Sequence, residues 1–232
     1  MILKLLADIA KKKATAAKAA FEKEKKRVDD SWPLGIKIGR TVVLEETPWL
    51  IADGLDVIFP GTDNVIKAVG IANAKIAPGT KIYRCYLQRV TGGEESILQI
   101  AVEEKSGAVE ECMLYRVGWE IYPKNSSEWD EWRNEEDGRI GYKDLTTPSD
   151  KTYERVTPRG GDMVSPFPWR ENLTDDPYVE SIMHIDYESA IYGREVGEIT
   201  ENLLVSEVKE NDQSFIRILV GIPVDVAFIK IL

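Results

Sequence analysis

The spacing of apolar side chains divides the chain into two parts, with the boundary at about residues 28–36. From Ile2 to Arg27 there is no Gly or Pro, and apolar or small residues recur every three to four positions, which is the period of an α-helix. Beyond the boundary, apolar residues recur at every second position, which is the period of a half-buried β-strand. The pattern predicts a basic helical arm over residues 1–30 and a strand-rich globular domain over residues 36–232.

Strict alternation marks the clearest strands of the second part. Residues 81–102 predict two strands that pair through a Gly-rich turn, and residues 109–121 predict a third, so that the three form an antiparallel meander. Residues 215–222 are apolar on both faces, which is typical of a covered, central strand. Asp53 and Gly54 separate two short apolar runs and predict a further hairpin.

A short helix is predicted after Pro123. Ser127 and Asp130 have the spacing of a capping box, and Trp129 and Trp132 lie about one turn apart on one face. We interpret the two rings as packing over one end of the sheet, because aromatic pairs at helical spacing are usually buried. A recognition surface made of the two tryptophans is the alternative.

These elements together predict an α+β protein that is mostly antiparallel β. We expect a meander-rich sheet or a sandwich, with an N-terminal basic amphipathic helix and one short internal helix. Residues 138–176 are rich in Gly, Pro, Asp and Thr. We interpret them as a long irregular connection, a type of segment that often carries function.

The chain is electrically polarised. Residues 1–27 hold nine basic and three acidic side chains, a net charge of +6, whereas the following 205 residues hold 21 basic and 37 acidic ones, a net charge of −16. A basic arm ahead of an acidic body indicates an anionic partner at one end. Nucleic acid is disfavoured as that partner, because the acidic body would be repelled by the same polyanion.

The arm can bind in three ways. Its apolar stripe and its lysines can lie on an anionic membrane surface. Alternatively, the stripe can dock on a partner helix or on the protein's own body, or closely spaced alanines can assemble a homo-oligomer. The residues expected to make these contacts are Ile2, Lys4, Leu5, Leu6, Ile9, Lys11, Lys12, Lys13, Lys18 and Phe21.

No segment has the features of a secretory signal or of a membrane span. The apolar residues Ile2 to Leu6 are interrupted by Lys4, and no run reaches the roughly 20 apolar residues of a spanning helix. Cys85 and Cys112 lie in alternating apolar runs, so we expect buried thiols in a reducing compartment, with a disulfide between them as the alternative. These features predict a cytoplasmic protein, which the basic arm would bring to the inner membrane surface.

Little in the sequence predicts catalysis. His184 is the only histidine, which excludes His-rich metal sites and mechanisms with two imidazoles, and it is expected to be structural or exposed. Neither a GxSxG nucleophile elbow nor a phosphate-binding loop occurs, so we expect no catalytic residue, no cofactor and no metal. The alternative is an enzyme or small-ligand-binding protein with its site in residues 138–176. The candidates for that pocket are Arg159, Asp162, Trp169 and Arg170.

Eight short motifs are spread over residues 53–232. They are Arg84-Cys85-Tyr86, Leu98-Gln99, Tyr122-Pro123 ahead of Glu128-Trp129, Ile140-Gly141, Tyr153-Glu154-Arg155, Tyr192-Gly193-Arg194, Glu201-Asn202-Leu203-Leu204-Val205 and Val220-Gly221-Ile222. In order and spacing they resemble the YjfK-like family of uncharacterised bacterial proteins. The sequence departs from the family pattern at residues 156–158, where a tryptophan is expected.

This resemblance implies a cellular context and no reaction, because the family has no assigned catalytic residues. Such proteins tend to be encoded beside relatives of the phage-shock protein PspA, which coat and remodel the inner membrane surface. Together with the charge split between the arm and the body, this context leads us to expect a non-enzymatic adaptor or accessory protein of a bacterial envelope-stress or membrane-maintenance system, with a protein partner such as a PspA-like membrane-coating protein. A context of this kind is an association and does not define a site.

Overall fold

The computed structural model describes residues 26–51, 53–73, 77–93 and 95–232. Within these ranges the strands are β1 (Thr41–Leu44), β2 (Asp63–Asn73), β3 (Thr80–Arg89), β4 (Glu95–Glu103), β5 (Val109–Ile121), β6 (Asp144–Thr146), β7 (Thr152–Thr157), β8 (Phe167–Thr174), β9 (Met183–Val196), β10 (Ile199–Glu210), β11 (Gln213–Pro223) and β12 (Ile229–Ile231). The helices are α1 (Thr47–Leu50), α2 (Ser126–Arg133) and the 3₁₀ helices Val28–Ser31, Pro33–Gly35 and Val226–Phe228.

Eight of these strands close into an antiparallel barrel. Their order around the ring is β2, β3, β4, β5, β11, β10, β9 and β8, and β8 completes the ring because it pairs with both β9 and β2. The predicted meander of β3, β4 and β5 is part of this ring. The predicted open sheet or sandwich is wrong, since closure by β8 turns the sheet onto itself and removes the two edges that such an arrangement keeps.

The ring opens out where β2 and β9 change neighbours. Residues 63–65 of β2 pair with β1, and after a β-bulge residues 69–72 pair with β8. In the same way, β9 pairs with β8 through residues 183–189 and with β7 through residues 191–193. Strands β12 and β1 therefore extend the sheet beyond β2, and β7 and β6 extend it beyond β9.

Strand β8 identifies the face that lines the barrel lumen. Its odd-numbered side chains are buried, whereas Pro168, Arg170 and Asn172 are exposed, as expected of a strand with one face on a core and one in solvent. The apolar lumen residues are Ala68, Ala72, Tyr86, Ile97, Met113, Tyr115, Phe167, Trp169, Leu173, Met183, Ile185, Tyr187, Leu204, Val208, Phe215 and Leu219.

A second and larger core covers the opposite face of the ring strands. Trp32 and Ile36, which flank the second 3₁₀ helix, pack there, together with Val42 and Leu44 of β1 and Trp132 of α2. The ring strands other than β8 are thus covered on both faces over part of their length, which explains why residues 215–222 are apolar on both faces.

Helix α2 is present close to its predicted position, but a different residue caps it. The Asn125 side chain accepts a hydrogen bond from the backbone N–H of Glu128, 3.0 Å away, and the Glu128 carboxylate accepts one from the backbone N–H of Lys124. The reciprocal cap is therefore formed by Asn125 and Glu128 and not by Ser127 and Asp130. The sequence places both pairs at the same spacing, and only the start of the helix distinguishes them.

The predicted arm helix runs from Ile2 to Arg27, and most of it falls on residues 1–25, which lie outside the described residues. Its last predicted residue, Arg27, is not helical. Arg27 has an extended backbone, with φ −65° and ψ 135°. Its guanidinium donates two hydrogen bonds of 2.7 Å to Asp29, and the N–H of Val28 donates to the carbonyl of Pro177. The bond between Val28 and Pro177 holds the chain against the barrel here, and the residues that follow form 3₁₀ turns.

Two further predictions fail for local reasons. The hairpin predicted around Asp53 and Gly54 is absent, since residues 47–50 form α1 and residues 55–59 lie in a loop. Residues 138–176 are also less irregular than predicted, because β6, β7 and β8 lie within them. Strand β8 was not predicted because Pro166 and Pro168 are unfavourable in a strand. Pro168 is tolerated because β8 has an unpaired edge at that position.

Candidate functional site

A cleft with a volume of about 830 Å³ lies on the outer side of β8 and β9. It lies where β8 has lost one neighbour, since β2 pairs with β8 only through residues 171–174 whereas β9 pairs with it from Phe167 to Leu173. Volumes of this size are typical of small-molecule sites. The lining residues are Ile71, Lys81, Pro168, Trp169, Arg170, Asn172, Asp186, Tyr187, Glu188 and Lys209.

Two stacked aromatic rings form the inner wall of the cleft. Trp169 and Tyr187 are direct cross-strand partners, and their rings are nearly parallel, with centroids 4.0 Å apart and an angle of 7° between planes. Because 8% of Trp169 and 3% of Tyr187 are exposed, only small parts of the rings reach the cleft. The indole Nε1–H donates to Ser189 Oγ at 2.8 Å, and that hydroxyl is 2.7 Å from Ser206 Oγ, so the indole is held in one position.

A buried ionic network lies behind this aromatic pair in the lumen. Arg84 Nη1 lies 2.8 Å from Glu171 Oε2, with both side chains almost fully buried. The hydroxyl of Tyr86 donates to Glu171 Oε1, and that of Tyr187 donates to Glu171 Oε2, each at 2.8 Å. The Arg84 guanidinium also lies 5.2 Å from the Trp169 ring centroid, a cation–π contact. The network therefore fixes the rings that line the cleft.

Burial and charge shift the protonation equilibria of this network. Burial, followed by the adjacent Glu171 carboxylate, raises the pKa of Tyr86 and of Tyr187 above the ordinary value of a tyrosine, so both hydroxyls stay protonated donors at neutral pH. Burial alone would lower the pKa of Arg84, but Glu171 and the two tyrosines outweigh it and raise that pKa. Arg84 is thus a permanent buried cation.

The outer rim of the cleft carries two ion pairs. Arg170 donates to both oxygens of Asp186, at 2.6 and 2.9 Å, and these hydrogen bonds lower the pKa of Asp186. Lys209 Nζ lies 3.1 Å from Glu188 Oε1, and that contact raises the pKa of Lys209. Lys81 makes a cation–π contact in place of an ion pair with these carboxylates, since its Nζ lies 5.2 Å from the ring centroid of Tyr83.

A second buried carboxylate, Glu201, has a structural role. Its Oε1 accepts hydrogen bonds from the backbone N–H groups of Asp56 and Val57, at 2.6 and 2.9 Å. Its Oε2 accepts from the Tyr153 hydroxyl at 2.7 Å and from Arg194. These bonds fasten the loop before β2 to β10, and all the partners belong to this chain.

The structure separates the four predicted pocket residues. Trp169 and Arg170 both line the cleft, and Arg170 forms an ion pair with Asp186 there. Arg159 and Asp162 lie in the turn after β7, where Arg155 donates to the backbone carbonyls of Pro158, Gly161 and Asp162. Asp162 lies 3.4 Å from Lys143 Nζ.

The remaining cleft residues were not found by sequence reasoning. Asp186, Tyr187 and Glu188 lie in an alternating strand, and alternation gives no information about which strand lies beside it. Lys81 and Lys209 lie on strands that are far from β8 in sequence. The one available signal was the Pro-Phe-Pro-Trp-Arg composition of residues 166–170, which selected Trp169 and Arg170.

The two tryptophans of α2, for which a recognition surface was the alternative interpretation, contribute to packing. Trp132 is buried in the outer core, and Trp129 packs against the same core, while the Arg133 guanidinium covers the Trp129 ring at 3.8 Å from its centroid. Arg133 in turn donates to both oxygens of Glu207 at 2.7 Å. These contacts agree with the interpretation that the tryptophans cover the sheet.

Cysteine and histidine side chains take no part in the cleft. Cys85 and Cys112 are buried free thiols, as predicted, and burial raises the pKa of both, that of Cys112 to about 11. His184 is exposed, and its Nδ1 lies 2.7 Å from Asn172 Oδ1. In the part of the chain that the structure describes, no three His, Cys, Asp or Glu side chains are grouped so as to hold a metal ion.

Comparison with known proteins identifies a family and no function. The model of the family described as "Protein of unknown function (DUF2491)" matches residues 16–230, which is most of the chain. No curated protein and no solved structure matches significantly. Among the helices in the described parts of residues 26–232, none is long and apolar enough to cross a lipid bilayer.

Proposed function

This chain belongs to the DUF2491 family, which is described as being of unknown function. From the separation of charge along the chain we propose that it is a non-enzymatic adaptor of a bacterial envelope-stress or membrane-maintenance system. In this proposal, the basic segment over residues 1–27 binds an anionic membrane surface or a partner helix, and the acidic body docks a second protein. The resemblance to the YjfK-like family and its PspA-associated context supports the same assignment. The protein would then act in the cytoplasm, at the inner membrane surface.

The observation that carries this proposal is the separation of charge along the chain. A net charge of +6 in residues 1–27 and of −16 in the rest gives each part an attraction for partners of opposite sign. Anionic lipid headgroups attract basic segments by about 1 kcal/mol for each Lys or Arg near the surface. A segment with nine basic residues can therefore bind such a surface even though the body is repelled by it.

The attachment of this segment to the barrel supports a role as a tether. Arg27 is bonded to Asp29, Val28 is bonded to Pro177, and the Arg27 guanidinium lies 5.9 Å from the Tyr178 ring centroid. A surface or partner that binds residues 1–25 is thereby joined to the folded body through a fixed point. The same bonds allow residues 1–25 to be deleted without touching the anchor.

The body offers exposed acidic surface for a second protein. Glu103, Glu104, Glu110 and Glu111 are exposed around the turn between β4 and β5. Acidic residues are also exposed on and after α2, and these are Asp130, Glu131, Glu135, Glu136 and Asp137. A partner with a basic face is the complement of these surfaces.

Flotation with lipid vesicles tests the membrane part of the proposal. We expect the full chain to float with vesicles that contain phosphatidylglycerol, not to float with phosphatidylcholine vesicles, and to dissociate in about 1 M salt, where the Debye length falls to about 3 Å. Deletion of residues 1–25 and the triple variant Lys11→Gln/Lys12→Gln/Lys13→Gln should both weaken binding. Equal flotation of the deletion variant would remove the membrane version of the proposal.

A matched control separates the charge of the segment from the charge of the whole protein. Lys105, Lys124 and Lys230 are exposed on the body, and their replacement by Gln changes the net charge as much as the triple variant in the arm does. We expect this control to float like the unchanged protein. If both triple variants lose binding to the same extent, the attraction belongs to the total charge and not to the segment.

A ligand-binding function is the second candidate, and the cleft favours it. The cleft is formed partly by residues 168–172, which lie inside the segment 138–176 where a pocket was predicted. It combines a volume of about 830 Å³ with aromatic edges and charged side chains, as in many small-molecule sites. This candidate is independent of the basic segment, so the two functions can coexist in one chain.

A further inference from the structure

The charges that line the cleft do not balance. Three cations, Lys81, Arg170 and Lys209, face two carboxylates, Asp186 and Glu188. Both carboxylates are already held, Asp186 by two hydrogen bonds from Arg170 and Glu188 by Lys209. Lys81 is therefore the one cation among these lining residues that neither carboxylate pairs with, and it also lines a second cleft that contains Glu103 and Glu104.

Lys81 is positioned at the cleft and lacks a carboxylate partner there. Among the described residues no ion pair joins Lys81 to an acidic side chain, and its Nζ stands over the Tyr83 ring at 5.2 Å from the centroid. A cation–π contact positions an ammonium group but leaves its N–H donors free to bind an anion. Lys81 lies opposite Asn73, where β2 ends and the wall of the barrel is open beside β8.

The aromatic wall also suits a negatively charged ligand. Trp169 and Tyr187 are stacked on each other, and the buried Arg84–Glu171 ion pair behind them adds no net negative charge to the wall. The small exposed parts of these rings leave their faces unavailable to a ligand. The edge of an aromatic ring carries the positive part of its quadrupole and attracts electronegative atoms.

We propose that this cleft binds a small organic anion whose carboxylate or phosphate group pairs with Lys81 Nζ. The rest of the ligand would lie along the Arg170–Asp186 ion pair and the edges of Trp169 and Tyr187. The inference deepens the ligand-binding candidate and rests on it, and it does not depend on the membrane proposal. It names the chemical class of the ligand and the residue that selects it.

Amide chemical shifts of the full chain test the site directly. The probes are phenyl phosphate, benzoate and glycerol 3-phosphate, with benzyl alcohol as the uncharged counterpart. We expect the three anions to shift the amide signals of residues 169–172 and 186–188, and benzyl alcohol to bind at least about tenfold more weakly, since a charge-assisted hydrogen bond is worth more than a neutral one.

Variants of the rim assign the binding to Lys81. Lys81→Gln should weaken phenyl phosphate binding by about tenfold or more, and Lys81→Arg should keep most of it. Lys105→Gln, on an exposed turn outside the cleft, removes the same charge and should leave binding unchanged. Asp186→Asn should tighten binding, because it frees Arg170 for the anion.

Each contrary result has a distinct meaning. If no probe shifts the amide signals of the cleft, the inference and the ligand-binding candidate both fall. If benzyl alcohol binds as tightly as the anions, ligand binding stands and the anion class is wrong. An equal loss in Lys105→Gln and Lys81→Gln would show that the probes follow total charge, and it would overturn the role of Lys81.

The source of the anionic group is resolved by repeating flotation with Lys81→Gln on phosphatidylglycerol vesicles. Unchanged flotation, together with loss of glycerol 3-phosphate binding, identifies a free small molecule as the ligand class. A parallel loss of flotation identifies a lipid headgroup in the cleft. Either result, with the shifts present, supports an anion site at Lys81.

Discussion

Glu171 is the residue on which the polar network of the lumen converges. Both of its oxygens accept hydrogen bonds, and Arg84 has no other carboxylate partner among the described side chains. We predict that Glu171→Gln destabilises the protein by about 3–5 kcal/mol, because it leaves a buried guanidinium without its counter-ion. Urea unfolding at neutral pH measures this loss.

An exposed ion pair between β8 and β9 provides the control for that experiment. Arg170 and Asp186 are 62% and 46% exposed, whereas Arg84 and Glu171 are 1% and 0% exposed. Arg170→Gln should therefore leave the free energy of unfolding nearly unchanged, because solvent screens an exposed ion pair. Similar losses in both variants would mean that burial does not set the strength of the lumen network.

The two cysteines should be unreactive in the folded protein. Burial raises the pKa of Cys85 and of Cys112, so at pH 8 both remain thiols, and the thiolate is the form that reacts. We predict that iodoacetamide modifies neither residue at pH 8 under native conditions and modifies both in urea, as measured by mass spectrometry. Rapid modification of native Cys85 would show that its strand opens readily.

At the scale of single elements, the cap of α2 tests where the helix begins. Asn125 accepts from the N–H of Glu128, whereas Ser127 lies inside the helix. We predict that Asn125→Ala costs about 1 kcal/mol of unfolding free energy and that Ser127→Ala costs less than about 0.5 kcal/mol. Thermal unfolding of the two variants compares them, and the reverse order would restore the cap first predicted from the sequence.

The contact between β2 and β8 requires a glycine at position 70. The reason is the lack of space for a side chain and not the backbone conformation, since φ of Gly70 is not positive. A Cβ placed on Gly70 would lie 1.6 Å from Glu171 Oε1, so Gly70→Ala must displace the buried carboxylate. We predict a loss of at least about 2 kcal/mol. Gly161→Ala is the control, because nothing lies within 4 Å of its added Cβ. Equal stability of both variants would show that Glu171 can move without cost.

The strands that were predicted correctly are those whose pattern is local. Alternation and a Gly-rich turn sufficed for β3, β4 and β5, since each pairs with its neighbour in sequence. Strand β8 was missed because its pairing with β2 joins residues about 100 positions apart in the chain, and because Pro168 makes the segment look unlike a strand. The composition of residues 166–170 did select Trp169 and Arg170, but their partners Tyr187 and Asp186 become visible only once β8 and β9 are paired.

For the whole molecule, closure of the ring explains why the outcome differs from the predicted class. Every neighbouring pair in the sheet is antiparallel, as the pattern indicated. A closed ring and an open sheet have the same alternation of apolar and polar residues along their strands, however. They differ only in whether the two end strands of the sheet, here β2 and β9, pair with a common strand. Here β8 is that common strand. The cleft lies beside the part of β8 before Glu171, where β8 no longer pairs with β2.

The response of the whole protein to acid follows from its carboxylates. Arg27 and the N–H of Ile38 lower the pKa of Asp29 below 3.8 although burial opposes them, and Lys151 and Ser149 do the same for Asp56 against burial. A carboxyl group whose pKa is lower in the folded than in the unfolded state stabilises the fold above its unfolded pKa, and this contribution is lost as the pH falls through the folded value. We predict that the free energy of unfolding is constant from pH 7 to about pH 5 and decreases below about pH 4.

The variant Asp29→Asn assigns part of that decrease to one residue. It cannot ionise, so the difference in unfolding free energy between it and the unchanged protein should be largest near neutral pH and should shrink as the pH falls below about 4. Urea unfolding at pH 7, 5, 4 and 3 measures the difference. If it stays the same at every pH, the ionised Asp29 does not contribute to acid sensitivity. The link between the start of the described chain and the barrel would then depend on hydrogen-bond geometry alone and not on charge.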